Sequence, residues 1–207
     1  MIFTVKNCKV EITFLFLATL TFSFLIDRFG IAGVGFLATI IHESGHLLLM
    51  YLLKFPPSEI KLKPFGIDIV ERSEKKIGYG KDALISIAGP FMNLLFFLLS
   101  GWLAINSGSL YLFYLSASNL VLAIFNLLPI EALDGGQAIY SLLCLKFQEK
   151  TVERIIRILS VTVLLPLFIT ALLVLFRSKY NFTLLFVSIY LFFLFFMKDG
   201  KRFTRIK

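Results

Sequence analysis

Six long apolar stretches, separated by short basic gaps, limit what this chain can fold into more than any other feature. They run roughly Ile12–Ile26, Ile31–Leu53, Ala83–Ala104, Leu110–Leu128, Ile155–Phe176 and Phe182–Met197. A helix needs about 17–25 predominantly apolar residues to cross a bilayer. The first and last stretches are short, and Lys9, Lys179 and Lys198 beside them can snorkel to extend them. Lys6 and Lys9 ahead of an apolar run would also suit a signal peptide, but no small-residue cleavage site follows, so the first stretch is read as a retained helix. Composition points the same way. Of the 207 residues 58% are hydrophobic and 16% charged, with a mean hydropathy of +0.87. A soluble domain is about half apolar and about a quarter charged, so the surplus must face lipid. The expected fold class is an all-α polytopic membrane protein of about six transmembrane helices, with residues 1–207 forming a single membrane-embedded domain.

The net charge of +8 does not indicate a nucleic-acid partner, because the basic residues sit in the gaps between apolar runs rather than in one patch. With six spans and both termini on one side, that side collects Lys6 and Lys9, seven basic residues from Lys54 to Lys81, four from Lys146 to Arg157 and five from Lys198 to Lys207. Eighteen of the 21 basic residues fall there, and Arg28, Arg177 and Lys179 remain opposite. The positive-inside rule then places both termini in the cytoplasm. Cys8 and Cys144 are too few for a disulfide framework and have no metal-ligand spacing.

Between the second and third stretches lies a different pattern. Pro56-Pro57 stops the preceding helix. Glu59-Ile60-Lys61-Leu62-Lys63 and Ile67-Asp68-Ile69-Val70-Glu71 each alternate with period two around Pro64-Phe65-Gly66. This predicts a small cytoplasmic-side β-hairpin over about 58–72. The segment from Pro129 to Arg154 reads as a second cytoplasmic interruption.

The second stretch contains His42-Glu43-Ser44-Gly45-His46, which holds both histidines of the protein. Residues i and i+4 share a helix face, so both imidazoles can reach one ion. Glu43, on the flank of the pair, suits a general base acting on a water that the ion activates. Inactive, a Glu and two His at the centre of a membrane helix would cost several kcal/mol, and a purely structural helix would carry Leu and Val. A catalytic zinc site with two His needs a third protein ligand. Asn126-Leu127-Leu128-Pro129-Ile130-Glu131-Ala132-Leu133-Asp134-Gly135-Gly136 offers two carboxylates. Asp134 is favoured because Gly135-Gly136 lets the backbone turn tightly after it; Glu131 lacks the glycine pair, and a turn or cap aspartate is the bland alternative.

These two motifs together resemble the site-2 protease family of intramembrane zinc metalloproteases, most closely the stage IV sporulation protein FB branch, which has six spans and no PDZ insert. The resemblance covers the order of elements over nearly the whole chain. It implies that His42, His46 and Asp134 bind Zn2+ and that Glu43 activates water. Gly89-Pro90-Phe91-Met92-Asn93 matches the family's G-x-x-x-N pattern. Gly89 permits close helix approach, and Asn93 is a donor inside the membrane that either binds substrate, stabilising an oxyanion, or makes only an interhelical hydrogen bond. Asn119, Asn126 and Tyr114 read as packing or network residues. The chain ends a few residues past the last stretch, so the CBS domain of some members is not expected. The implied substrate is a membrane-associated transcription regulator, sigma or anti-sigma factor, the implied setting a bacterial cell membrane, with sporulation as a further carry-over.

Two other readings compete. A membrane metal transporter would show internal repeats and a polar relay over several spans, whereas the polar groups here converge. An inactive scaffold has no need of an intact Glu43.

Overall fold

The structure, a computed structural model, describes residues 2–5, 8–27, 30–63, 66–70, 77–178 and 182–197. Outside these lie Pro64-Phe65 of the expected turn, Glu71 and Arg72 of the expected strand insert, and several of the orientation-setting residues: Lys6, Arg28, Lys75, Lys76, Lys179 and the five basic residues from Lys198 onward. The chain is mostly helical. In order its elements are β1 (Ile2–Val5), β2 (Cys8–Ile12), α1 (Phe14–Ile26), α2 (Ile31–Leu52), β3 (Glu59–Lys63), β4 (Gly66–Val70), α3 (Tyr79–Ser107), α4 (Leu110–Asn126), α5 (Asp134–Cys144), α6 (Glu149–Ser178) and α7 (Thr183–Met197).

Among the described residues three helices, α2, α3 and α6, are long and apolar enough to cross a membrane. The other three expected spans are shorter apolar helices. The 13 residues of α1 and 15 of α7 rise only about 20 Å and 22 Å at 1.5 Å per residue, against a hydrocarbon core of about 30 Å.

Contacts divide the chain into two compact units, Met1–Lys75 with Ala88–Phe125, and Lys76–Ile87 with Asn126–Lys207. In the first, the four strands form one sheet in the order β1-β2-β3-β4, antiparallel, parallel and antiparallel in turn. The two N-terminal strands precede the first expected helix, and β2 takes Ile12, the first residue of that stretch. Lys9-Val10-Glu11-Ile12 alternates and pairs with Glu59 to Leu62, and the helix begins only after Thr13, whose hydroxyl accepts from Phe16 N–H. Lys9 meets Glu59 at 3.1 Å and Lys61 meets Glu11 at 3.7 Å, so the parallel register is charge-matched. The Lys9 ammonium beside Glu59 holds that carboxyl below its usual range, with Lys61 adding to the effect against a smaller cost of burial.

The same unit contains α1, α2, α4 and α3 from Ala88 onward. Helices α2 and α4 each turn a narrow face inward, whereas α1 has no buried residue. On α2 the buried residues are Ala38, Ile41, His42, Gly45, His46 and Met50, while Ile40, Leu48 and Leu52 are exposed. That arrangement suits lipid outside and small or polar groups inside. Gly101 faces Ser116, whose hydroxyl donates to Phe97 O at 2.9 Å.

In the second unit, Tyr140, Val152 and Ile156 are fully buried, with Tyr79, Ile139, Leu143 and Cys144 packed on them. Tyr79 donates to Glu149 at 2.6 Å. Phe168 of α6 meets Phe192 of α7 edge-on, centroids 5.8 Å apart. The segment read as an interruption contains α5, and α6 starts at Glu149, six residues before its apolar stretch. An acidic first turn favours a helix N-terminus whether or not it is apolar.

Candidate metal centre

His42 and His46 lie near the middle of α2, ten and six residues before its last residue, so His42 is about 15 Å from that end. Both are buried, at 5% and 8% exposure. Their Nε2 atoms stand 3.2 Å apart, and the rings meet edge to face with centroids 4.9 Å apart. Two imidazole nitrogens this close inside an apolar helix could share a cation.

The orientation of His42 is set by a chain of amides. Asn93 on α3 is fully buried, as is Asn119 on α4. The Asn93 side-chain NH2 donates to Ala38 O at 3.1 Å and to Asn119 Oδ1 at 2.7 Å. Asn119 in turn donates to Leu115 O at 2.8 Å. Main-chain carbonyls only accept, so both amide orientations are fixed and Asn93 must present Oδ1 to His42. His42 Nδ1 therefore donates to that oxygen, at 2.5 Å. The proton on Nδ1 leaves Nε2 as the lone-pair donor, the tautomer a metal ligand needs. Both N–H bonds of Asn93 are committed to protein acceptors, so the geometry favours orientation of His42 over contact with substrate.

The glycines have steric causes. A Cβ on Gly89 would stand 2.2 Å from His46 Nε2, and one on Gly45 would stand 2.5 Å from Ala88 O. Backbone thus walls the His46 ring and lets α2 and α3 touch at the imidazoles. This cradle, with two Nε2 donors and one tautomer fixed, fits a divalent ion of imidazole preference such as zinc. Glu43, between the histidines, is half-buried.

Asp134 is the first residue of α5 and is half-buried. It belongs to the second unit. Leu133 is the cap position and contributes no side-chain bond. Gly135 and Gly136 do not make a tight turn. They are helical and buried, without positive φ. A Cβ on Gly135 would meet Leu127 O at 2.3 Å and one on Gly136 would meet Ile130 O at 2.1 Å, so the pair is there for close packing of α5 on the preceding loop. The competing carboxylate, Glu131, is buried, and its N–H donates to Ser160 Oγ at 2.8 Å.

Sequence reasoning passed over Asp82, in the first turn of α3. It is 9% exposed and accepts from Gln137 Nε2 at 3.0 Å and from Ser141 Oγ, both on α5. Nothing in its local sequence marks it, because its partners are 55 and 59 residues away.

Residues 104–169 match the model of Peptidase family M50. That segment includes Asp134 and ends well short of the two histidines on the N-terminal side. No curated protein sequence matches the chain. Among solved structures, the fold is similar to the site-2 protease from Methanocaldococcus jannaschii, with a TM-score of 0.69 and 23% identity over 95% of this chain and 94% of that one.

Proposed function

We propose that this chain is a zinc-dependent intramembrane endopeptidase that cuts a membrane-associated protein, in regulated proteolysis of a transcription regulator or a sigma or anti-sigma factor. The convergence of the two Nε2 atoms of His42 and His46 within an apolar helix carries the reading. The M50 match over 104–169 and the site-2 protease fold support it. We assign the zinc to His42, His46 and Asp134, two imidazoles and a carboxylate of the kind that ligate it.

A zinc ion held there supplies Lewis acidity that brings the pKa of a water toward neutral. Glu43 takes the proton of the attacking water and later hands it to the leaving amide nitrogen. Asn93 holds His42 in its ligating tautomer, a role we assign to it in place of substrate binding. The substrate must be extended before its carbonyl can be attacked. Strand β4 ends the sheet among the described strands and offers backbone for strand addition. Proline at Ile67 or Ile69 should then lower cleavage with zinc content unchanged; equal cleavage would rule this edge out. We place the protein as a multi-pass membrane protein with both termini cytoplasmic.

Zinc analysis of the purified protein tests the centre. The wild type should carry one zinc per chain, and His46→Ala and Asp134→Ala should each carry almost none. Retention in both variants would remove the basis for a protease. A transporter or scaffold would be little affected by Glu43→Gln, which in a protease stops cleavage and spares the metal.

A further inference from the structure

Asp82 is a buried carboxylate with no part in the reaction outlined above. Its partners Gln137 and Ser141 lie three and seven positions after Asp134 on α5, and residues at i, i+3 and i+7 share one side of a helix. The proposed metal ligand and the two side chains held by Asp82 are therefore on one face, with about 4.5 Å of helix rise between Asp134 and Gln137. The glycines at 135 and 136 fix how closely α5 approaches the Leu127–Glu131 backbone, but residues without side chains cannot fix its rotation about its own axis. Two side-chain hydrogen bonds to a single oxygen, Asp82 Oδ2, can. The acceptor itself is anchored: Asp82 N–H donates to Gly78 O at 3.1 Å, and Ser86 Oγ donates to Asp82 O at 2.9 Å.

We propose that Asp82 is a positioning residue that sets the rotation of α5 and thereby aims the Asp134 carboxylate. The proposal rests on the reading in which Asp134 is a metal ligand. Removing Asp82 would leave the two donors on α5 without their buried acceptor, an outcome the helix can relieve by turning toward another partner. A turn of one residue position would rotate Asp134 by about 100°.

A double-mutant cycle with zinc affinity as readout, measured by competition against a chromophoric chelator, tests this. Asp82→Ala in the otherwise wild-type chain should weaken zinc about tenfold to a hundredfold, the usual cost of losing a partner that orients a ligand. In the Asp134→Ala background the same change should alter the residual affinity less than twofold, because there is no carboxylate left to aim. Equal fold-losses in both backgrounds would mean general loosening and would overturn the proposal, as would an unchanged affinity in the first. If Asp134→Ala alone keeps full affinity, the ligand reading fails, and it fails in a different arm. Asp82→Asn keeps the shape and one acceptor oxygen and should give a smaller loss. If Asp82→Ala does not fold, the cycle is run with Asp82→Asn and judged by the same comparison of backgrounds. Cobalt substituted for zinc adds a spectroscopic readout: its visible absorption should change on Asp82→Asn and be indifferent to that change once Asp134 is Ala.

Discussion

Helices α2 and α6 are both long enough to cross a membrane, yet they use their buried faces in opposite ways. Of the two, α6 is the more apolar and the less buried. Its inward stripe is Val152, Ile156, Ser160, Leu164 and Ala171, ordinary packing with one hydroxyl. The inward stripe of α2 is Ala38, Ile41, His42, Gly45, His46 and Met50. In α6, high apolarity is what lipid requires of an outer surface. In α2 the apolar outer face is a carrier for a polar inner one. Hydrophobicity along a membrane helix therefore reports exposure, and the places where it lapses report the site.

If the contrast holds, changes at or against the histidine turn of α2 should affect metal and cleavage, and changes on α6 should affect stability alone. The largest should come from Glu43→Gln, which removes the base and keeps the shape. Cleavage should fall by about 10²–10⁴-fold with zinc retained, measured on a purified substrate in detergent or vesicles; an active variant would make α2 a structural helix after all. Next is Gly89→Ala. Its methyl group would press on His46 Nε2, so we expect destabilisation of about 1–3 kcal/mol together with weaker zinc binding, read by thermal unfolding and metal titration. Loss of stability with zinc affinity intact would separate the wall from the site. On α6 the strongest polar position is Ser160. Ser160→Ala strips the acceptor from the buried Glu131 N–H and should cost about 1–3 kcal/mol without touching zinc affinity. Leu173→Ala, on the exposed face of α6, should shift stability by less than about 0.5 kcal/mol in a detergent micelle. A larger shift would mean that this face is covered.

A pH experiment probes the sheet, outside both helices. Glu59 has a lowered folded pKa, so its contribution is present above the unfolded carboxyl value of 4.5 and is lost as pH falls through the folded value below it. Carboxyl NMR should place the Glu59 midpoint below 4.5, and Lys9→Met should raise it. A midpoint at or above 4.5 in the wild type would show that the charge-matched register does not form.

Much of the frame was legible because lipid-facing helices announce themselves. The helices α2, α3 and α4 were readable from apolar runs, and the β3–β4 alternation from its period. The N-terminal strands were missed although Lys9-Val10-Glu11-Ile12 alternates and Thr13 is a cap residue, because strands this short take their meaning from pairing with Glu59 to Leu62, about 50 residues on. Helix α5 was missed because Gly135-Gly136 reads as a breaker. Only the backbone oxygens of Leu127 and Ile130 explain why glycine is required inside a helix there. At the centre, His42, His46 and Asn93 were visible as polar lapses in apolar helices, but the task of Asn93 was not. It depends on which way a side-chain amide faces, and that is decided by carbonyls at Ala38 and Leu115. Asp82 was invisible for the same reason: its meaning lies wholly in residues far along the chain.

The amide chain from Leu115 through Asn119 and Asn93 to His42 begins on a peptide oxygen, a group that neither ionises nor rotates in a folded helix. Proton placement on the imidazole is consequently inherited from the backbone at the moment of folding. An ion arriving later meets a ring already turned and already bare at the correct nitrogen, so capture requires no rearrangement of the ring.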